Sequence, residues 1–397
     1  MRLRLWSVAA LAAVSACSPE PHSVALDFPG TNGSAQPRLT MTAEGNPILS
    51  WLETDGGSHV LRFAEFESGK FGVSREVARS DRMFVNWADF PSVTPITDQL
   101  WFAHWLQLQS GSYSYDIATA ISIDGGMSWS PAEQMNEDET AAEHGFVSVF
   151  PWDDQIAAFW LDGRELANWS FDEPDALLGV SLRLARYDTT GAVTERRIAD
   201  ELVCDCCQPD VAMTDAGPVV TYRDRTTEEI RDIVIRHVTD GVSSDPVQVG
   251  SDDWFIEGCP VNGPVIAAQG SDVAVAWFTA ADGQARVRLA RSNDSGVSFG
   301  SPVEVDAAGS LGQTGIVLDD DGRAVVSWWR RGQLGGTDLM VRAYARDGTP
   351  GNEVLVVHED IGAAIDVPQL IAAGDSYLVA WTTLEDEGNV RLARVEL

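Results

Sequence analysis

Val273-Ala274-Val275-Ala276-Trp277 and Ala324-Val325-Val326-Ser327-Trp328 are one pattern written twice: an apolar run that ends on an aromatic ring. Five more copies stand along the 397-residue chain, ending on Trp51, Trp105, Trp160, Tyr222 and Trp381, with successive markers 51 to 62 residues apart. A recurrence at this period means one supersecondary unit stacked on copies of itself. The flanks show what the unit is. About 13 residues before each marker a short β-prone run begins (38–42, 92–95, 147–150, 211–214, 265–268, 316–318, 369–372). A turn rich in Gly, Asp or Asn separates it from the marker run. A third run then alternates apolar and polar residues (60–66, 115–121, 181–187, 233–238, 286–290, 339–344, 389–395), the period of a strand. A fourth run, such as 74–78 or 301–305, completes six of the units.

The seventh unit stops after its third run, and residues 23–28 offer the missing strand. That pairing leaves no open sheet edge. The expected fold is all-β: a seven-bladed β-propeller over 23–397, closed by its N-terminal strand. A six-bladed ring is the alternative and requires one unit to be miscounted. No long 3.6-residue period is present, so helix should be scarce.

The N-terminus reads as a processing signal: Arg2 and Arg4, an apolar stretch over 5–13, then Val14-Ser15-Ala16-Cys17. The tetrad resembles the lipobox of bacterial lipoproteins. The resemblance implies a signal peptide over 1–16, diacylglycerol on Cys17 and a tether over 17–22, with Ser18 implying outer-membrane sorting. The expected location is therefore the bacterial cell envelope, lipid-anchored; no second apolar run reaches the roughly 18 residues of a spanning helix. The formal net charge is −33, from 27 basic and 60 acidic residues. Residues 1–16 hold two Arg and no acid, so the mature chain carries 27 − 2 = 25 basic residues against 60 acidic ones, net −35. Such a surface repels nucleic acid and anionic headgroups, and a monomer is expected.

Two turns carry a sharper motif: Ser122-Ile123-Asp124-Gly125-Gly126-Met127-Ser128-Trp129 and Ser292-Asn293-Asp294-Ser295-Gly296-Val297-Ser298-Phe299. A carboxylate there can accept N–H groups across the turn while Gly takes a positive φ. Both lie between third and fourth strands. They resemble the Asp box of the sialidase superfamily, and the resemblance covers the mature chain at the level of fold. It implies an Asp-box propeller and glycan chemistry of the exo-glycosidase kind. Sialidases also carry an Arg-Ile-Pro motif and a Tyr–Glu nucleophile. Here Pro37-Arg38-Leu39 is a loose echo of the first, and none of the six Tyr has a matching late-blade context.

In a propeller the loops entering first strands share a face with those joining second to third strands. That face gathers Asp89, Glu143, His144 and Asp162 as candidate catalytic groups, and Arg164, Arg223, Asp224, Arg225, Arg231 and Asn262 as candidate substrate contacts. Two carboxyls can serve as proton donor and base for glycoside hydrolysis, His144 can shuttle a proton, and guanidiniums hold anions in forked pairs. The competing use of these arginines is pairing with Asp162, Asp224, Glu228, Glu229 and Asp232. Asp89, His144, Cys207, Asn262, Gln313 and Asp366 occupy near-equivalent inner-rim positions.

With Cys17 on lipid, Cys204, Cys206, Cys207 and Cys259 remain, an even number in an oxidising compartment. Two disulfides with three connectivities are expected. Cys204 and Cys259 stand equally far before their markers, which suggests an interblade bridge with a local second one. A soft-metal site of copper or zinc, using these thiolates with His144, is the rival; otherwise no cofactor is expected. The expected function is an envelope-anchored, sialidase-like propeller acting on or binding an acidic glycan or another small anion. The alternatives are a non-catalytic binding or assembly platform and a Cys/His metal protein.

Overall fold

The computed structural model describes residues 21–109, 114–168, 179–239, 242–360, 366–383 and 388–397. The Cys17 lipidation site and the 1–16 signal lie outside the described residues. Seven antiparallel sheets follow one another along the chain, each built outward from an innermost strand. Those innermost strands are Ser34–Met41, Ser92–Pro95, His144–Trp152, Asp210–Thr214, Val265–Gln269, Ser310–Leu318 and Gln369–Ala373. The marker runs are the second strands, among them Asp272–Thr279 and Ala324–Arg331. Only two short 3-10 turns, Arg164–Asn168 and Ala281–Gly283, interrupt the β structure among the described residues.

Blades packed face to face bury both surfaces of their middle strands, which is why the marker runs are apolar at nearly every position. Trp51, Trp160, Trp277 and Trp328 are at most 1% exposed. Seven apolar clusters result, each shared by two neighbouring blades, and the last joins blade seven to blade one through Leu378 and Leu392 against Leu49 and Trp51. The ring closes as expected. His22–Leu26 pairs antiparallel with the last strand, His22 opposite Glu396 and Leu26 opposite Leu392, as the outermost strand of blade seven.

The two Ser-x-Asp turns sit at corners between third and fourth strands. Asp124 accepts from the Ser128 amide at 2.8 Å, and Gly126 donates its N–H to Ser122 Oγ at 2.8 Å. Asp294 accepts the Ser298 amide at 2.9 Å and hydroxyl at 2.6 Å. Gly126 and Gly296 take φ of 76° and 87°, a region that favours glycine. Trp129 meets Phe63 of blade one edge-on at 6.3 Å, closing the seam between blades.

The Ser128 hydroxyl and amide hold the Asp124 carboxyl down to about 2, and the Ser292 and Ser298 hydroxyls do the same for Asp294. A depressed carboxyl adds stability that is full above its unfolded value and lost as pH falls through the folded one. Between about pH 4 and pH 2 the thermal midpoint should therefore fall in the native protein. The fall should be shallower in Asp294→Asn. Parallel slopes for the two proteins in calorimetry would remove the turn carboxylate from the stability of the ring.

Candidate functional site

The six inner-rim positions are buried rather than open to solvent at the mouth. Asp89, His144, Cys207, Asn262, Gln313 and Asp366 are at most 7% exposed. The space around the axis is narrow, and polar groups taken from water there must find partners. Several of these bonds run sideways from blade to blade. Gln313 donates its backbone N–H to Asn262 Oδ1 at 2.7 Å and its side-chain amide to the Val261 carbonyl at 2.6 Å. Gln208 donates to the Val147 carbonyl at 2.9 Å, and Gln36 donates to that of Asn86. Asn262 is thus a stitch between blades five and six.

An axial cavity of about 180 Å³ remains open, lined among others by Arg38, Gln208, Asp210, Gln313 and Gln369. Arg38 comes from blade one and Asp210 from blade four. Burial lowers the pKa of Arg38, and the Asp210 charge opposes that. Asp210 is raised by burial, against Arg38 and the N–H groups of Ile266 and Val211. The Asp210 carboxylate already accepts from Ile266 at 2.9 Å and Val211 at 3.0 Å. Among the described residues the Arg38 guanidinium makes no hydrogen bond and has no carboxylate within 4.0 Å.

A second cleft, about 490 Å³, lies over blade three, from Tyr115 of blade two across Glu143 and Gly145 to Asp205 of the loop entering blade four. Tyr115 donates its hydroxyl to Glu143 at 3.4 Å. Asp89 lies against Gly145 so closely that any Cβ there would collide with its carboxyl. Burial pushes Asp89 up to about 7, against the Phe146 backbone N–H, and the Glu143 charge adds to the push. Asp89 therefore lies between the two openings: its neighbour Ala88 lines the axial cavity and Gly145 lines the cleft.

His144 keeps acidic company other than Glu143. Its Nδ1 is 3.2 Å from the Tyr115 carbonyl, and its Nε2 is 3.2 Å from Asp138 and 3.6 Å from Asp162. Asp162 is not free to move protons, because it accepts the Trp160 indole N–H at 2.9 Å and two Arg164 N–H groups at 2.7 Å. Asp138, His144 and Asp162 offer donor atoms within 4.8 Å of one another. Arg164, 3.2 Å from Asp138 and 2.8 Å from Glu137, already supplies the cation this cluster needs.

The expected arginine clamp is likewise spent inside the protein. Arg223 is 1% exposed. It donates to the carbonyls of Asn262 at 3.0 and 3.1 Å, Arg231 at 2.8 Å and Phe278 at 2.7 Å. Its guanidinium also lies 4.8 Å over the Trp254 ring. Arg225 and Arg231 both hold Glu229, at 2.6 and 2.9 Å, and Arg225 also reaches Asp205 at 3.2 Å. Asp224 is raised to about 6 by burial and by the nearby Asp200 charge.

The cysteines correct the expected pairing. The interblade disulfide joins Cys206, not Cys204, to Cys259, with Cα atoms 6.1 Å apart. Cys204 and Cys207 are buried free thiols, and His144 belongs to the separate acidic cluster rather than to this one. Burial raises the Cys204 thiol, but the Cys207 hydrogen bond and the Arg223 charge outweigh it and bring it down to about 6. Cys207 is pushed up by burial and by its bond to Cys204.

Arg38, within Pro37-Arg38-Leu39, is a cavity residue that the sequence pattern alone does not place among the binding candidates. Its one signal is a lone arginine on an innermost strand with no acid beside it. No protein-family model and no curated protein matches the sequence. Solved structures do. The chain is similar to a PL25 ulvan lyase bound to -[GlcA(1-4)Rha3S]-, with TM-score 0.53 and 12% identity over 93% of this chain and 95% of that one. It is similar to the polysaccharide lyase Uly1, with TM-score 0.52 and 8% identity over 94% and 91%. A GH93 α-L-arabinofuranosidase of Fusarium graminearum, complexed with arabinobiose, gives TM-score 0.50 and 11% identity over 94% and 97%. At these identities the likeness is one of fold.

Arg223→Met leaves three buried carbonyls without their donor and should cost about 3–5 kcal/mol, in the range found for breaking a buried charge interaction. Urea unfolding reads this as a lower midpoint at unchanged slope. A variant of native stability that had lost ligand binding would return Arg223 to the role of anion clamp.

Proposed function

We propose that the protein is an exported, lipid-anchored propeller of the bacterial envelope that binds an acidic glycan and acts on it at the chain end. The anionic group of the sugar sits in the axial cavity on Arg38. The observation that carries this reading is electrostatic: Arg164, Arg223, Arg225 and Arg231 are committed to protein oxygens, whereas Arg38 faces the cavity with no ion pair among the described residues. A carboxylate or sulfate would complete it with a charge-assisted, forked pair. Gln208, Gln313 and Gln369 line the same space; each donates its amide to a backbone carbonyl, which leaves the side-chain oxygen to accept from a sugar hydroxyl.

Proton chemistry falls to Asp89 and Glu143. Held up at about 7, Asp89 keeps its proton near neutrality and can donate it. Glu143 stands on the cleft wall beside Tyr115 as the accepting carboxylate. The glycan-handling neighbours and the two Ser-x-Asp turns of Asp-box type support this reading. The 1% exposure of Asp89 favours a second one, a platform that binds without turnover.

Purified full-length protein should bind uronate-, sialate- or sulfate-bearing oligosaccharides and ignore neutral ones of equal size. Arg38→Gln should weaken binding roughly 10- to 100-fold, the loss of one charged hydrogen bond. Asp210→Asn, which removes the competing carboxylate, should tighten it. Equal binding of neutral sugars, or an unchanged Arg38→Gln, would defeat the proposal. Turnover should fall about 100-fold or more in Glu143→Gln, and binding with no product in the native protein would select the platform. Cys17→Ser should move the protein from the membrane to the soluble fraction.

A further inference from the structure

Outside the glycan site, the strongest unexplained chemistry is sulfur. Cys204, Cys206 and Cys207 bring their Sγ atoms within 4.8 Å of one another, beside the disulfide that Cys206 makes with Cys259. A disulfide sulfur is a poor donor, so the pair left to act is Cys204 and Cys207, each 1% exposed. Both are reached by the positive charge of Arg223. Arg231 points Nη1 at Cys204 Sγ from 3.6 Å. Two buried thiols within 4.8 Å of one another, one of them met by a guanidinium N–H, are arranged to share a cation.

We propose that Cys204 and Cys207 form a binding site for one monovalent, thiophilic ion, copper(I). The donor set decides the ion. Zinc takes four ligands, or three and a water. Here two sulfurs are locked in the disulfide, Asp205 is taken by Arg225 at 3.2 Å, and the surroundings are cationic. Copper(I) is soft and is satisfied by two thiolates. Binding forms two Cu–S bonds and releases the two thiol protons, so the centre carries one negative charge, which Arg223 and Arg231 balance. No electron is transferred and the Cys206–Cys259 bond stays intact. Cys206 lines the axial cavity, which gives the ion its way in. The site is independent of the glycan proposal.

Copper(I), delivered as its acetonitrile complex to full-length protein, should be retained at one equivalent against bicinchoninate. Cys204→Ser and Cys207→Ser should each lose it, while the Cys206→Ser/Cys259→Ser double variant keeps it. Arg231→Met, a change behind the ligands, should weaken it about 10- to 100-fold. Two measurements on the native protein do not depend on the variants folding. X-ray absorption should show two sulfur neighbours at one distance, and alkylation of the unfolded copper-free protein with peptide mapping should find Cys204 and Cys207 as free thiols. A Cys204–Cys207 disulfide in the map, nitrogen or oxygen neighbours in the spectrum, or full retention in Cys204→Ser would overturn the proposal.

Discussion

Burying an aromatic N–H or O–H is costly without an acceptor, and for five of the seven marker rings (Trp51, Trp160, Tyr222, Trp277 and Trp381) the acceptor is a carboxylate that must itself be neutralised. That chain of requirements organises the blades. Trp51 donates to Glu53 at 2.9 Å, and Arg62 of the next strand holds Glu53 at 2.7 Å. Trp160 donates to Asp162 at 2.9 Å, with Arg183 at 3.5 Å. In blades four and five the acid comes from the preceding unit. Tyr222 donates to Asp200 at 2.6 Å and Trp277 to Asp252 at 2.7 Å, answered by ion pairs from Arg236 and Arg288. There the same bond ties one blade to the next. The marker ring is therefore more than an apolar plug; its polar edge fixes where an acid and an arginine must stand.

This accounts for the fate of most arginines. With 27 basic residues against 60 acidic ones, a guanidinium placed near the marker strands finds a carboxylate before any ligand arrives. Arg38 avoids close capture because it leaves an innermost strand, where the one nearby acid, Asp210, is turned to the N–H groups of Ile266 and Val211. The same crowding makes Arg223 structural: in place of acids it takes carbonyls from its own blade and the next one, and its charge is then available to the sulfurs of Cys204 and Cys207.

Blade number, strand order and ring closure were legible because they rest on periodicity, which survives errors of a residue or two. The direction of the rim residues was not. The innermost strands slip register between Ala35 and Arg38, Gly145 and Ser148, and Gly312 and Gly315. Gln36, Phe146 and Gln313 take φ of 57°, 54° and 52° at those slips. One extra residue turns every later side chain to the other face. Because residues other than glycine carry the positive φ, no composition cue marks the bulge. The Cys pairing failed for a related reason: equal spacing from the markers selects Cys204, but the loop from 204 to 209 is irregular and brings Cys206 to Cys259 instead. The +2 acids after Trp51 and Trp160 were present in the sequence, yet only the geometry shows that Asp162 is an indole acceptor rather than a proton carrier.

The state of two aspartates completes the electrostatic argument. Asp89 of blade two and Asp366 of blade seven flank the blade that carries Arg38, and burial pushes both up to about 7. Their immediate neighbours, Ala88 and Val367, line the axial cavity. A raised carboxyl pKa is a cost to folding: as pH rises from the ordinary value near 4 toward 7, the unfolded chain ionises freely while the folded one resists, and stability declines across that window. A fold indifferent to charge here would place Asn at both positions. Near neutrality the two acids hold their protons far longer than an ordinary carboxyl does, and the counter-charge that reaches Arg38 is that of Asp210. The axis thus keeps a guanidinium that, among the described residues, has no carboxylate within 4.0 Å, inside an otherwise strongly negative protein.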